Sequence, residues 1–95
     1  MKQQRVLHTL KNHKQALSAR YGVTRIGIFG STARNQATDE SDIDIIVEMP
    51  PDLFEMVHMK EELEQILAAP VDLIRYHKYL NSYFKSRIDN EAIFV

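Results

Sequence analysis

Three short runs of apolar and β-branched residues constrain the fold of this 95-residue chain more than any other feature of its sequence. The runs are VTRIGIF at 23–29, DIDIIVE at 42–48 and VDLIRY at 71–76, and each has the length and composition of a single strand. The segments around them carry apolar residues at helical spacing, so we expect helices there. These helices are predicted at 2–20, 51–69 and 78–89.

Two shorter elements complete the pattern. Ser31 can cap a short helix in STARNQ, just after a turn at Gly30. The apolar tail AIFV can add a short edge strand. Strands that alternate with helices predict an α/β fold in which helices pack on a sheet. The chain length and the short connections predict a single domain over residues 1–95.

The helix at 51–69 has an apolar stripe that we expect to face the core, and Pro51 and Pro70 bound the segment. The stripe consists of Leu53, Met56, Val57, Leu63, Ile66 and Leu67. In the helix predicted at 78–89, the apolar residues are spaced by four; they are Leu80, Phe84 and Ile88.

The composition excludes several classes of protein. It is 44% hydrophobic and 26% charged, which is ordinary for a globular protein. The absence of an apolar run of about 18 residues predicts no membrane span, and the N-terminus does not resemble a signal peptide, so we expect a cytoplasmic protein. Without cysteine, there is no disulfide and no thiolate metal site. A net charge of −1 without a basic block argues against direct binding of nucleic-acid polymers.

Aspartates interrupt two of the predicted strands. Because side chains alternate along a strand, Asp42 and Asp44 share one face, about 7 Å apart. Asp72 occupies a similar place in the run at 71–76. If these two strands are neighbours in one sheet with matching faces, the three carboxylates converge.

Carboxylates gathered in apolar strands are costly, because they repel one another and lose hydration unless a cation compensates them. The run at 42–48 contains no Lys or Arg. A set of oxygen ligands without cysteine or clustered histidine favours Mg²⁺, or Mn²⁺, over Zn²⁺. Such carboxylates can hold two metal ions at a phosphoryl group.

Gly30 and Ser31 indicate a place for a phosphate. Glycine lets an anion approach the backbone, and a turn that opens a helix points N–H groups at it. Ser31 can add a hydroxyl donor, and Arg34 lies within one helical turn of it. The stretch lacks the lysine of a P-loop and the spacing of a nucleophile elbow, so neither mechanism applies.

Gly30-Ser31, ten intervening residues and then Asp42-Ile43-Asp44 resemble the signature of the DNA polymerase β-like nucleotidyltransferases. The longer stretch GSTARNQATDESDIDIIVE is similar to the minimal nucleotidyltransferase subfamily, known chiefly as the antitoxin of HEPN/MNT toxin–antitoxin modules. The likeness extends to the third acid, Asp72, and to the apolar ending. One departure is Asn35, where many relatives carry glycine; asparagine tolerates positive φ, so a turn there remains possible.

This resemblance implies a nucleotidyltransferase fold, a small mixed β-sheet flanked by helices. It implies transfer of AMP from ATP, with Mg²⁺, to a tyrosine of a helical HEPN-type toxin encoded nearby. Asp42, Asp44 and Asp72 would be catalytic and hold the metal, and Asp72 would also help activate the acceptor hydroxyl. The residues that would bind the nucleotide are Gly30, Ser31 and Arg34.

Two other functions remain open at this stage. The chain can instead be a non-catalytic antitoxin that neutralises a partner by contact, although the retained acids and Gly-Ser pair argue against a vestigial site. Modification of a small molecule or an RNA end is a third reading. At the residue level, Asp42 and Asp44 can be turn acids, Ser31 a simple helix cap, and Arg34 a partner of Glu40. The 95 residues are too few for the helical substrate domain of antibiotic-modifying relatives, so we expect a separate protein to supply the acceptor.

Overall fold

The computed structural model describes residues 3–95, and it confirms the predicted alternation of helices and strands. Residue 2, where the first helix was expected to begin, lies outside the described residues. The helices are α1 (Gln3–Tyr21), α2 (Gly30–Ala33), α3 (Leu53–Leu67) and α4 (Ser82–Glu91). The strands are β1 (Arg25–Ile28), β2 (Ile43–Glu48), β3 (Val71–Arg75) and β4 (Ile93–Phe94).

The four strands form one mixed sheet in the order β3-β2-β1-β4. Strand β1 is antiparallel to β2 and to β4, whereas β2 and β3 are parallel. The parallel pair follows from its connection, because α3 carries the chain back along the sheet before β3 begins. The result is the predicted α/β fold with helices on both faces of a small sheet.

The main core lies between the sheet and the two long helices. Alternate residues of β2 face this side, as the strand period predicts, and they pack against α1 and α3. The buried side chains of the two helices are Val6, Leu10, Leu17, Met59, Leu63 and Leu67. On the opposite face, Ile46 packs with Phe29 and with Ile88 of α4 in a smaller cluster. This second cluster holds α4 over the face of β2 that carries the aspartates.

Local signals set the ends of the helices. Gly22, with φ +72°, ends α1 at the predicted glycine. The carboxylate of Asp52 caps α3 by accepting from the N–H of Glu55. The last helix starts at Ser82 rather than at 78, because Asn81 caps it by accepting from two backbone N–H groups. The prediction of Leu80 as a helical residue was therefore wrong.

The predicted apolar stripe of α3 was wrong at Leu53 and Val57, whereas Met56 is half-buried and packs against the core as predicted. Leu53 is 76% exposed and Val57 48% exposed, while Met59 is fully buried. The buried ridge runs through Met59, Leu63 and Leu67. At 100° per residue, Val57 lies about 160° around the helix from Met59, so it faces away from the core. None of the helices within residues 3–95 is long and apolar enough to span a membrane.

Candidate active site

Asp44 and Asp72 are register partners on the parallel strands β2 and β3. Directly opposed residues point to the same face of a sheet, so the two carboxylates neighbour each other, as the strand pattern predicted. Asp42 lies one residue before β2 begins. Only Asp44 is half-buried, however, whereas Asp42 and Asp72 are exposed. The expectation that all three acids lose hydration was therefore wrong for two of them, which stand where the strands meet solvent.

Asp44 is held by three hydrogen bonds, one with Phe29 before α2 and two with residues of α2. Its backbone N–H donates to the hydroxyl of Thr32 at 3.0 Å, and its carbonyl accepts from the N–H of Phe29 at 3.1 Å. The hydroxyl of Ser31 donates to its carboxylate at 3.3 Å. Thr32 is 1% exposed, so this residue, which sequence reasoning did not select, anchors Asp44 from inside the fold.

The surroundings of Asp44 shift the pKa of its carboxyl group. Burial raises the pKa of its carboxyl above the ordinary value, and the negative charges of Asp72 and Asp42 raise it further. The hydrogen bond from Ser31 lowers that pKa in part. The pKa is raised mainly because burial disfavours the charged carboxylate, and a bound cation would stabilise that charged form.

Gly30 allows the turn to approach Asp44 closely. Its φ is +55°, and a Cβ at this position would lie only 2.6 Å from the carboxylate oxygen Oδ2 of Asp44. Glycine is therefore favoured here both by the positive φ and by the limited space beside Asp44. Asn35 also has a positive φ, 58°, so asparagine supplies the turn that the resemblance places at a glycine.

The expectation that Ser31 caps α2 was wrong. The helix is a single turn, Gly30–Ala33, with Phe29 at the N-cap position and no side-chain cap. Ser31 lies inside this turn, and its hydroxyl points to Asp44 instead. So short a helix adds little dipole, and the hydroxyl and the glycine backbone remain the features suited to a phosphate.

A cavity of about 300 Å³ opens beside these residues. The turn and β2 form one wall, and α4 forms the other, which the sequence did not indicate. The lining residues are Phe29, Gly30, Ser31, Arg34, Asp44, Phe84, Arg87, Ile88 and Glu91. The rings of Phe29 and Phe84 meet edge to face, with centroids 5.9 Å apart, and this contact fixes α4 against the turn.

Two arginines and one glutamate stand in the same cavity. Arg34 Nη1 lies 3.2 Å from Glu91 Oε2, and Arg87 Nη2 lies 3.2 Å from Glu91 Oε1. The partner of Arg34 is therefore Glu91, and not Glu40 as one reading of the sequence suggested. Arg34 also donates to the side chain of Gln36.

The atoms near Asp44 that could coordinate a metal ion are oxygens, the ligand type that Mg²⁺ and Mn²⁺ prefer. Within residues 3–95, no group of three or more acidic or histidine side chains is already arranged around one metal position. The Asp44 carboxylate accepts from Ser31 instead. The donor set fits a hard cation, and the metal-binding roles of Asp42, Asp44 and Asp72 remain predictions.

Comparison with known proteins agrees with this fold. The nucleotidyltransferase domain family matches residues 10–95, and the chain belongs to that family. A Methanocaldococcus jannaschii chain, provisionally named a protein adenylyltransferase, is 42% identical over 90 residues, with 90% of each chain covered. Protein adenylyltransferase MntA of Thermococcus cleftensis is 36% identical over 88 residues, covering 90% of this chain and 88% of that one.

Superposition on solved structures agrees with this family assignment. One, provisionally described as a minimal nucleotidyltransferase, superposes with a TM-score of 0.74 at 33% identity, covering 92% of this chain and 93% of that chain. A chain of a toxin–antitoxin complex crystallised with AMP-PNP superposes with a TM-score of 0.69 at 18% identity, covering 99% of this chain and 72% of that chain; it shows the shared fold. The resemblance and the fold class predicted from the sequence are confirmed, and the chain is an enzyme of the nucleotidyltransferase class.

Proposed function

We propose that this chain is a cytoplasmic antitoxin that transfers AMP from ATP to a tyrosine hydroxyl of a HEPN-type toxin. The observation that carries the proposal is the pairing of Asp44 with Asp72 on adjacent parallel strands. Asp44 lines a cavity together with Gly30 and Ser31. Acids beside groups that can bind a phosphate suit transfer from a nucleoside triphosphate.

Asp42, Asp44 and Asp72 would hold Mg²⁺, for which Mn²⁺ can substitute. A bound divalent cation supplies charge neutralisation and polarisation at the phosphoryl group. The raised pKa of Asp44 supports this assignment, because its cause is burial together with the charges of two neighbouring acids.

The side chains of this protein would orient the triphosphate and accept the proton of the attacking hydroxyl. Ser31 can turn its hydroxyl from Asp44 to a phosphate oxygen, and Gly30 leaves room for that phosphate at the backbone. The tyrosine oxygen attacks the α-phosphorus, the bond from that phosphorus to the bridging oxygen breaks, and pyrophosphate leaves. Asp72 accepts the proton of the tyrosine hydroxyl, a role its position suits because it is exposed on the edge strand β3.

A protein acceptor is supported by the relatives. Those with 36% and 42% identity are named protein adenylyltransferases, in one case provisionally, and they match this chain over nine-tenths of its length. A tyrosine carried by a separate helical protein can reach Asp72, since no other strand of the described sheet covers β3 on that side.

The test is co-expression with a helical HEPN-type protein from the adjacent reading frame. With the wild-type enzyme, the intact mass of that partner should increase by whole AMP units, and growth should be protected. The Asp42→Ala, Asp44→Ala double variant should fold, add no AMP and lose protection, because metal-assisted transfer loses on the order of 100-fold or more of its rate. Glu61→Ala, on the exposed face of α3, serves as the control.

A partner that gains no mass beside the wild-type chain, while the double variant protects equally well, would overturn the enzymatic proposal. That result would leave neutralisation by contact as the function.

A further inference from the structure

Helix α4 brings a second arginine to the candidate nucleotide site. Arg87 lines the same cavity as Ser31 and Asp44, although it follows them by more than 40 residues in the chain. Its guanidinium and that of Arg34 share one carboxylate, that of Glu91, and each takes a different oxygen at 3.2 Å. We call these three residues the Arg34–Glu91–Arg87 cluster.

The cluster has an unbalanced charge. Two guanidiniums and one carboxylate carry one net positive charge, and all three side chains line the same cavity as Asp44. Each arginine donates one N–H group to Glu91, and Arg34 donates a second to Gln36. Both keep further N–H groups, because a guanidinium has five. Planar guanidiniums are well suited to bidentate contacts with phosphate oxygens.

Glu91 is poorly placed for the stability of α4. It is the last residue of the helix, where an acidic side chain meets the negative end of the helix dipole. Its pair with Arg87 has the acid four residues after the base, which is the less favourable orientation. The side chains of the cluster are 30–47% exposed, and ion pairs at such positions contribute little to stability. A more strongly charged anion can therefore replace Glu91 at small cost.

We propose that Arg87 is a second triphosphate-binding residue beside Arg34, and that Glu91 holds both guanidiniums in the nucleotide-free protein until the triphosphate displaces it. The inference rests on the proposed function only in taking this cavity as the nucleotide site. Glu91 competes with the triphosphate for the two arginines, so it lowers the affinity of the site while keeping the guanidiniums aimed into the cavity.

The experiment measures binding of ATP, with Mg²⁺, and of inorganic tripolyphosphate by titration calorimetry on the purified chain. Arg87→Ala should weaken both ligands by about 10-fold or more, the loss expected for a charge-assisted hydrogen bond. The affinity of Arg87→Lys should lie between those of Arg87→Ala and the wild type, because lysine keeps the charge but lacks the planar guanidinium. Glu91→Gln should increase the affinity for both ligands, and this increase should be smaller in the Arg87→Ala background.

A matched control is the pair between Arg20 and Glu62, at 2.9 Å, in which the glutamate also accepts from Tyr21. Arg20→Ala and Glu62→Gln should leave both affinities at the wild-type value. Melting curves establish that each variant is folded.

The possible results separate the two proposals. If Arg87→Ala binds ATP as tightly as wild type, or if Glu91→Gln weakens binding, the inference is overturned while the proposed function stands. A wild-type chain that binds no triphosphate overturns both. If nucleotide binding follows the expected order but the HEPN-type partner gains no AMP, the inference holds and the proposed acceptor is wrong.

Discussion

Asp44 and Asp72 stand directly opposite each other on parallel strands, and the burial of Asp44 differs from that of Asp72. The inner acid is fixed by Thr32, Phe29 and Ser31, whereas the outer one lies exposed on the sheet edge. This difference separates their expected tasks. The fixed acid suits metal binding at a constant position, and the exposed acid can meet a hydroxyl that arrives on another protein.

The first prediction is that Asp44→Asn stabilises the metal-free protein at pH 7. The pKa of Asp44 is raised from its ordinary value of 3.8, so the folded chain binds this proton more tightly than the unfolded chain does. Ionisation of Asp44 therefore lowers the free energy of unfolding as the pH rises from 3.8 through the raised pKa of the folded state. Below pH 3.8 the carboxyl is protonated in both states, and this loss of stability is absent. Asparagine can still accept from Ser31. Melting temperatures of the wild type and the variant, measured in EDTA between pH 3.8 and pH 7, check the prediction.

The stabilisation by Asp44→Asn should fade as the pH falls toward the ordinary pKa of aspartate. Glu61→Gln, which neutralises an exposed acid of α3 far from the site, is the control for removing one carboxylate. Loss of the fold at pH 7 in Asp44→Asn would instead make this acid a structural residue.

The second prediction concerns ligand removal. ATP with Mg²⁺ should raise the melting temperature, because a ligand that binds only the folded state stabilises it by mass action. At one hundred times the dissociation constant the gain is about 2.7 kcal/mol, on the order of 10 °C for a domain of this size. Chelation of the metal by EDTA should remove most of the shift. In Asp44→Asn the shift should be small, although the variant remains folded.

The sequence was sufficient to predict the strands and the shared face of Asp42 and Asp44. A period of two leaves only two faces to choose from, so this assignment depends on the local pattern of DIDIIVE alone. The approach of Asp72 was predicted only on the condition that the two strands are neighbours with matching faces, and the structure meets that condition.

The far wall of the cavity could not be predicted in this way. Arg34 and Glu91 are separated by 57 positions, and no periodic signal links the motif turn to α4. Their proximity follows from the packing of Ile88 against Ile46 and of Phe84 against Phe29. Tertiary packing also decided the exposed face of α3, where Met59 is buried while Leu53 and Val57, which the pattern placed in the core, are exposed.

The third prediction is that Thr32→Val reduces both stability and transfer. Valine has nearly the same shape but cannot accept from the N–H of Asp44, which then loses its partner in a buried place. An unsatisfied buried donor costs about 1–3 kcal/mol. Thr32→Ser keeps the hydroxyl and should retain most transfer activity. Denaturant unfolding and the AMP transfer rate check both variants, and a Val variant with wild-type transfer would show that Thr32 does not position Asp44.

The last prediction separates backbone strain from damage to the site at two glycines with positive φ. Gly30→Ala and Gly22→Ala both force alanine into the left-handed region, at φ +55° and +72°, so each should lose about 1 kcal/mol or more of stability. The new methyl groups have different neighbours. At Gly22 the Cβ lies 3.2 Å from the ring of Pro50, whereas at Gly30 it lies 2.6 Å from Asp44 Oδ2.

Gly30→Ala must therefore displace the Asp44 carboxylate or the turn that faces the cavity, and AMP transfer should fall by about 100-fold or more, the effect of a misplaced catalytic group. Gly22→Ala should keep its transfer rate at a temperature where both variants are folded. Rates measured on the folded fraction, with unfolding followed in parallel, provide the comparison. If the two variants lose stability equally and transfer AMP equally well, the close approach of Gly30 to Asp44 has no part in catalysis.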